Sequence, residues 1–197
     1  MFHYNKKEKN KMKKSILAGI LISLGCITYL NCSNPIVGAL LFSLGLLGVC
    51  AFKLNLYTGK VGYADSCKSI STLATIFLGN AIGCFIMALI SCAIVDIEKV
   101  NIFVQAKLQI PIQLFFLKGI ICGALMFIGV HAYNEKQLWP VTILCVMAFI
   151  LGGAEHSVAD TYYFIVGENV KDGITRVASA IVGNAVGAIA CYRLMKD

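Results

Sequence analysis

The sequence predicts an all-α membrane protein: six transmembrane helices in two inverted three-helix repeats, the second and fifth helices broken. Three observations predict it. The 197 residues are 58% hydrophobic with a mean hydropathy of +0.79, too apolar for a soluble domain of this length. Roughly 20 apolar residues cross a bilayer, so the apolar runs supply six crossings and leave little chain for a soluble domain. Residues 152–160 place two glycines, Glu155, His156 and Asp160 between apolar runs at 139–150 and 162–166. Ionisable side chains at membrane depth are costly and face a bundle interior or a pathway. Helix-breaking backbone survives there only when buried in protein or lining a cavity.

The formal charge of +7 is concentrated at the start of the chain, where Lys6, Lys7, Lys9, Lys11, Lys13 and Lys14 are opposed only by Glu8. Residues 1–14 are read as a basic tail marking the cytoplasmic end of the first span rather than as a nucleic-acid-binding segment. Residues 15–33 form that span. A basic start followed by an apolar run is also the form of a signal peptide. This run is longer than a usual signal core and five more follow, so it is expected to be retained. Residues 35–52 make the second span. Then Lys53-Leu54-Asn55-Leu56-Tyr57-Thr58-Gly59-Lys60 reads as a loop folded into the membrane, with a half-helix after it.

The third span, 69–95, is uncharged and completes a first repeat over 15–95. Residues 96–111 form an amphipathic linker with Asp96, Glu98, Lys99 and Lys107. The second repeat occupies 112–197. Its first span, 112–133, is interrupted only by Lys118. Its second starts at Gln137, carries Trp139 as an interfacial anchor and breaks at the Glu-His stretch. Its third, 173–194, ends with Arg193 and Lys196, so six crossings return a basic C-terminus to the cytoplasmic side. The nine cysteines are scattered without a CxxC pair. They act as small hydrophobes, and no metal site, disulfide framework or cofactor is expected.

Gly79-Asn80-Ala81-Ile82-Gly83 recurs as Gly183-Asn184-Ala185-Val186-Gly187, each in the third span of its half. Each half also has its interruption in its second span. Three crossings per half invert the second copy relative to the first, a design of transport proteins whose pathway lies at the repeat interface. Asn55, Glu155, Asn80 and Asn184 are expected to support the broken helices, Glu155 by anchoring exposed backbone N–H groups.

Asn55-Leu56-Tyr57-Thr58-Gly59, Glu155-His156-Ser157-Val158-Ala159 and the two Gly-Asn motifs resemble the formate/nitrite transporter family over essentially 15–193. The resemblance implies an aquaporin-like fold and a homopentamer in the cell membrane, both termini cytoplasmic. Each subunit would hold its own pore for small monovalent anions or their conjugate acids. Carried over position by position, it implies His156 and Thr58 at the centre of the pathway. Phe42, Phe149 and Met126 fall at the outer constriction, and Leu46 and Leu56 at the inner one. Lys107 falls in the outer vestibule, with Lys13 or Lys14, the latter preferred, in the inner. Gly123 and Asp160 stand where the family usually has asparagine, which implies a difference near the pore centre.

These residue types suit a weak acid. A lysine at each mouth raises local anion concentration. Rings of Phe and Leu then exclude water, where a bare anion is heavily penalised. Low dielectric raises the pKa of an acid, so formate, nitrite, hydrosulfide or lactate would cross as or with a proton, and chloride would gain nothing. His156, with Thr58 as hydroxyl partner, would hydrogen-bond the passing species or exchange a proton with it. By spacing alone the Phe, Leu and Met positions are ordinary packing and Lys107 a snorkelling lysine; Lys118 reads as a helix-end or interface residue, Tyr162 and Tyr163 as interface anchors. Two rival classes remain: a haem-binding redox subunit with His131 and His156 as axial ligands, and a neutral-solute pore. With no phosphate loop and no nucleophile-base constellation, the sequence predicts neither a pump nor an enzyme.

Overall fold

Helix-forming runs and their punctuation follow the sequence closely in the computed structural model, which describes residues 6–196. Helix α1 (Lys6–Asn31) is followed by α2 (Pro35–Ala51), a short α3 (Tyr57–Lys60) and a 3-10 turn over Val61–Tyr63. Then come α4 (Cys67–Ser91), α5 (Ile97–Leu108), α6 (Ile112–Lys136), α7 (Trp139–Leu151), α8 (Ser157–Val166) and α9 (Val170–Met195). No strand occurs among the described residues. The stretches Glu8–Asn31, Ser69–Ser91, Ile112–Lys136 and Val170–Met195 are long and apolar enough to cross a membrane, while α2 and α7 are shorter apolar helices.

Local chemistry sets the boundaries. Asn34 caps α2 by accepting the N–H groups of Ile36 and Val37, and Pro35 opens the helix where no intrahelical N–H bond is needed. Asp96 accepts the N–H of Lys99 and caps α5, which occupies the centre of the linker; α4 stops at Ser91, short of the expected end at 95. α1 starts at Lys6, so the described part of the basic tail is helical and continuous with the first span; its first five residues lie outside the described range. The interruption expected over 152–160 is narrower. Only residues 152–156 leave the helix, and Asp160 sits in the first turn of α8.

α1 packs on α4, and α6 on α9, with their backbones in contact. A Cβ on Gly19 would fall 2.1 Å from the Asn80 carbonyl oxygen, and one on Gly83 2.2 Å from that of Ile16. The second pair repeats this: Gly123 against Asn184 at 2.1 Å, Gly187 against Ile120 at 2.0 Å. Lipid tails are as apolar as leucine, so close helix contact depends on small residues and interhelical hydrogen bonds rather than on the hydrophobic effect. Gly123 therefore serves a helix crossing and does not line a polar centre. Tyr162 and Tyr163 are buried, not interfacial: Tyr162 Oη pairs with Ser91 Oγ at 2.8 Å, and Tyr163 meets Phe103 edge to face. The outward faces are apolar, with Leu44, Leu89 and Leu144 each more than 60% exposed. Such a surface is covered by lipid or by neighbouring subunits.

Candidate functional site

Two helix breaks build the site, and two asparagines hold them. After α2 the chain turns through Lys53 at φ 49°, and after α7 it turns through Gly153 at φ 64°. Glycine fits this left-handed region freely; Lys53 adopts it against its Cβ. Asn80 Oδ1 accepts the N–H of Tyr57 at 2.9 Å, while its Nδ2 donates to the carbonyls of Ser15 and Asn55. Asn184 repeats the pattern: its Oδ1 accepts the N–H of Ser157 at 3.0 Å, and its Nδ2 donates to Gly119 and Glu155. Both amides are fully buried. Each satisfies one donor and one acceptor that a broken helix leaves open and ties them to a carbonyl of a neighbouring helix, Ser15 in α1 or Gly119 in α6.

The breaks bring Thr58 and His156 together. Thr58 Oγ1 lies 3.0 Å from His156 Nε2, both buried. The other ring nitrogen, Nδ1, accepts the N–H of Ala159 at 3.1 Å and so caps α8. An accepting Nδ1 carries no proton, so the proton sits on Nε2 and is donated to Thr58. The threonine hydroxyl hydrogen is then free for a third group. A proton added at Nδ1 would uncap α8.

Two cavities flank this contact. One, of about 200 Å³, has Phe42, Phe149, His156, Lys107, Lys118 and Asp160 among its walls. Phe42 and Phe149 meet edge to face at 5.5 Å, and Phe149 tilts against the His156 ring at 5.7 Å. The other, of about 290 Å³, is lined by Leu56, Gly59, Val49, Lys53 and Lys60 among others. His156 lines the first cavity, and Leu56 and Gly59, close to Thr58 in sequence, line the second, so the Thr58–His156 hydrogen bond lies between the two. Phe42 and Phe149 stand in the wall of the first cavity, and Val49, Leu54 and Leu56 in that of the second.

Of the residues expected on the pathway, Phe42, Phe149, His156, Lys107 and Leu56 line these cavities. Thr58, Leu46 and Met126 are buried but line neither. Lys14 lies in a third cavity with Lys11, Asn55 and Lys60, and its Nζ donates to the Lys53 carbonyl at 3.4 Å. Asn55 donates its amide to the Lys11 carbonyl at 3.3 Å. Glu155 differs from expectation. The asparagines anchor the backbone, and the Glu155 carboxylate instead pairs with Lys107. Lys107 is thus no free vestibule cation: it also pairs with Asp160 at 2.9 Å and lies against the rings of Phe103, Phe115 and Tyr163. Sequence reasoning missed Asp160 as its partner, Lys118 on the cavity wall, and Lys53 and Lys60 at the opposite cavity. The one signal for them was that each is a charge flanking an apolar run or, for Lys118, interrupting one. His131 bonds Tyr63 Oη at 3.0 Å and stacks on Phe127, whereas His156 bonds Thr58, so the two histidines share no partner.

An all-helical, multi-pass membrane protein with a buried polar contact between two cavities is the class that this fold and site define. The model of the family described as formate/nitrite transporter matches residues 3–196, and the chain belongs to that family. It is 27% identical to the nitrite transporter NirC of Salmonella typhimurium (strain LT2) and 26% identical to that of Escherichia coli (strain K12). Each match covers 76% of this chain and 65% of the relative, so the chain spans about two thirds of those proteins' length. The solved structure of an FNT family ion channel superposes with a TM-score of 0.85 at 22% identity, over 94% of this chain and 88% of that one. That of a pentameric formate channel with formate bound gives 0.76 at 17% identity, over 97% and 95%. These relatives are transporters and channels, not enzymes.

Proposed function

We propose that the chain forms a channel through which small monovalent weak acids, formate or nitrite foremost, cross the cytoplasmic membrane. The observation that carries this reading is the buried Thr58–His156 hydrogen bond between two cavities whose walls include Phe42, Phe149 and Leu56. On this reading Lys53, Lys60 and Lys14 draw anions to the inner mouth, and Lys118 draws them to the outer one. The apolar rings strip water, and an acid that takes up a proton crosses as a neutral molecule. At the centre His156 orients Thr58, whose free hydroxyl hydrogen is donated to the passing oxygen. Leu46 and Met126 belong to the packing behind the rings.

The same reading takes α1, α2 with α3, and α4 as three crossings, and α6, α7 with α8, and α9 as three more of opposite orientation. The matched hydrogen bonds of Asn80 and Asn184 support that inverted relation. Both termini lie on the cytoplasmic side, and five copies assemble, as in the solved pentameric formate channel. The test is uptake of formate, nitrite, hydrosulfide and lactate by proteoliposomes between about pH 5 and 8. Formate or nitrite uptake is expected to rise as pH falls, because the neutral fraction grows. Exclusion of all four acids would overturn the reading.

A further inference from the structure

A basic cavity and an apolar groove adjoin at the end of the bundle that carries the basic tail. The cavity, of about 570 Å³, has Lys11 and Lys14 of α1, Lys60 of α3, and Ser69 and Thr72 of α4 in its wall. Lys11 and Lys60 are in no ion pair among the described residues, and Lys14 donates to the Lys53 carbonyl. No carboxylate among the described residues lines this cavity. The acids nearest in sequence, Glu8 and Asp65, are exposed, and Asp65 accepts the Ser69 hydroxyl at 3.0 Å. Counting both against the three lysines still leaves a positive charge.

The groove, of about 480 Å³, runs between α4 and α9, with Ile70, Leu73, Phe77 and Ala81 on one side and Ile181 and Ile189 on the other. Tyr57 and Val61, on either side of Thr58 in sequence, complete its wall. Tyr57 Oη donates to the Ile181 carbonyl at 3.1 Å, and its ring meets Phe77 edge to face. Ala64 and Leu73 belong to both walls, so the groove leads away from the lysines. Ile70 to Ala81 spans roughly 16 Å at 1.5 Å per residue, about half of a hydrocarbon core roughly 30 Å thick.

We infer that cavity and groove together bind one anionic phospholipid of the cytoplasmic leaflet, its phosphate among Lys11, Lys14 and Lys60 and an acyl chain between α4 and α9. Basic pockets between helices on the cytoplasmic side take anionic headgroups, because that leaflet is rich in them and each lysine adds attraction. A free phosphate accounts for the lysines but not for a groove of one leaflet's depth beside them. A second copy of the chain would bring its own net charge of +7 to the same rim. Lys60 also lines the inner cavity of the pathway, so the headgroup sits beside the inner mouth. The inference takes from the proposal above only the cytoplasmic side of the basic tail.

The purified protein is titrated in mixed micelles with phosphatidylglycerol, phosphatidylcholine and glycerol phosphate, and affinity is read from the rise in thermal midpoint. Phosphatidylglycerol is expected to bind best, and glycerol phosphate, a headgroup without chains, far more weakly. Lys11→Gln is expected to weaken phosphatidylglycerol about fivefold, and Lys11→Gln/Lys60→Gln roughly 25-fold, with phosphatidylcholine unmoved. Ala74→Trp fills the groove and is expected to weaken both lipids; Ala185→Leu fills it from α9 should Ala74→Trp fail to assemble. Equal affinity for the two lipids, or no loss in the lysine variants, would overturn the inference. So would glycerol phosphate binding as tightly as the lipid, which would make this a free-phosphate site. Loss of assembly in both groove variants would give the groove to a neighbouring subunit and overturn it too. The titration involves no transport, so its failure leaves the channel to be judged by formate uptake alone.

Discussion

Replacing Asn184 with alanine would remove three buried hydrogen bonds through one side chain. The N–H of Ser157 and the carbonyl of Glu155 would be orphaned in a site with no exposure to water, and the Gly119 carbonyl, inside α6, would lose its second partner. Each bond contributes about 1 kcal/mol net, and each orphaned buried group costs up to about 3 kcal/mol. The expected destabilisation is therefore about 3 to 6 kcal/mol. At roughly 2 to 4 °C per kcal/mol for a chain of this size, the thermal midpoint drops by on the order of 10 °C. The fluorescence of Trp139, the single tryptophan, reports it in detergent. Asn80→Ala removes the matched set on Tyr57, Ser15 and Asn55 and is expected to cost a similar amount. Alanine at the exposed Asn10 serves as the control. A midpoint for Asn184→Ala within about 2 °C of the control would refute the claim that these amides hold the breaks together.

Two further outcomes follow from the site. Thr58→Val keeps the shape but deletes the hydroxyl that accepts from His156, so formate uptake is expected to fall by at least about tenfold, while Thr58→Ser retains most of it; equal uptake in both would remove the hydroxyl from the mechanism. Phe149→Ala removes a ring that touches both Phe42 and His156, so liposomes carrying it are expected to leak glycerol that the wild type excludes, with a stability loss of about 3 to 5 kcal/mol or less if the cavity wets. Glycerol exclusion equal to that of the wild type would show that another group closes the passage.

The breaks and the asparagines that hold them were legible because glycine, asparagine and ionisable residues have few tolerable placements inside apolar runs. The Gly-Asn motif marks both a helix crossing and the amide that supports a break, so two copies in register point to one design. His156 and Thr58 were legible through the Glu-His-Ser and Tyr-Thr-Gly motifs. What the sequence could not carry was the folding of α5 against α8. That packing brings Lys107 to Asp160 and Glu155, groups roughly 50 residues away, and turns an expected free cation into the centre of an acidic cluster. Tyr162 and Tyr163 misled for a related reason. An aromatic beside an apolar run reads as an interfacial anchor until a partner such as Ser91 Oγ is seen to satisfy its hydroxyl. Gly123 was misplaced because sequence alone does not say which face of α6 meets α9.

Formate uptake by proteoliposomes of His156→Ala and His156→Asn, each verified as folded and assembled, measures the role of the imidazole at the junction of the two cavities. Alanine deletes both the donor to Thr58 and the cap on Ala159; asparagine restores a capping acceptor but not the donor at Nε2. Both variants are expected to lose uptake by more than about tenfold, with asparagine recovering thermal stability but not flux. Wild-type uptake in either variant would place the permeation route elsewhere.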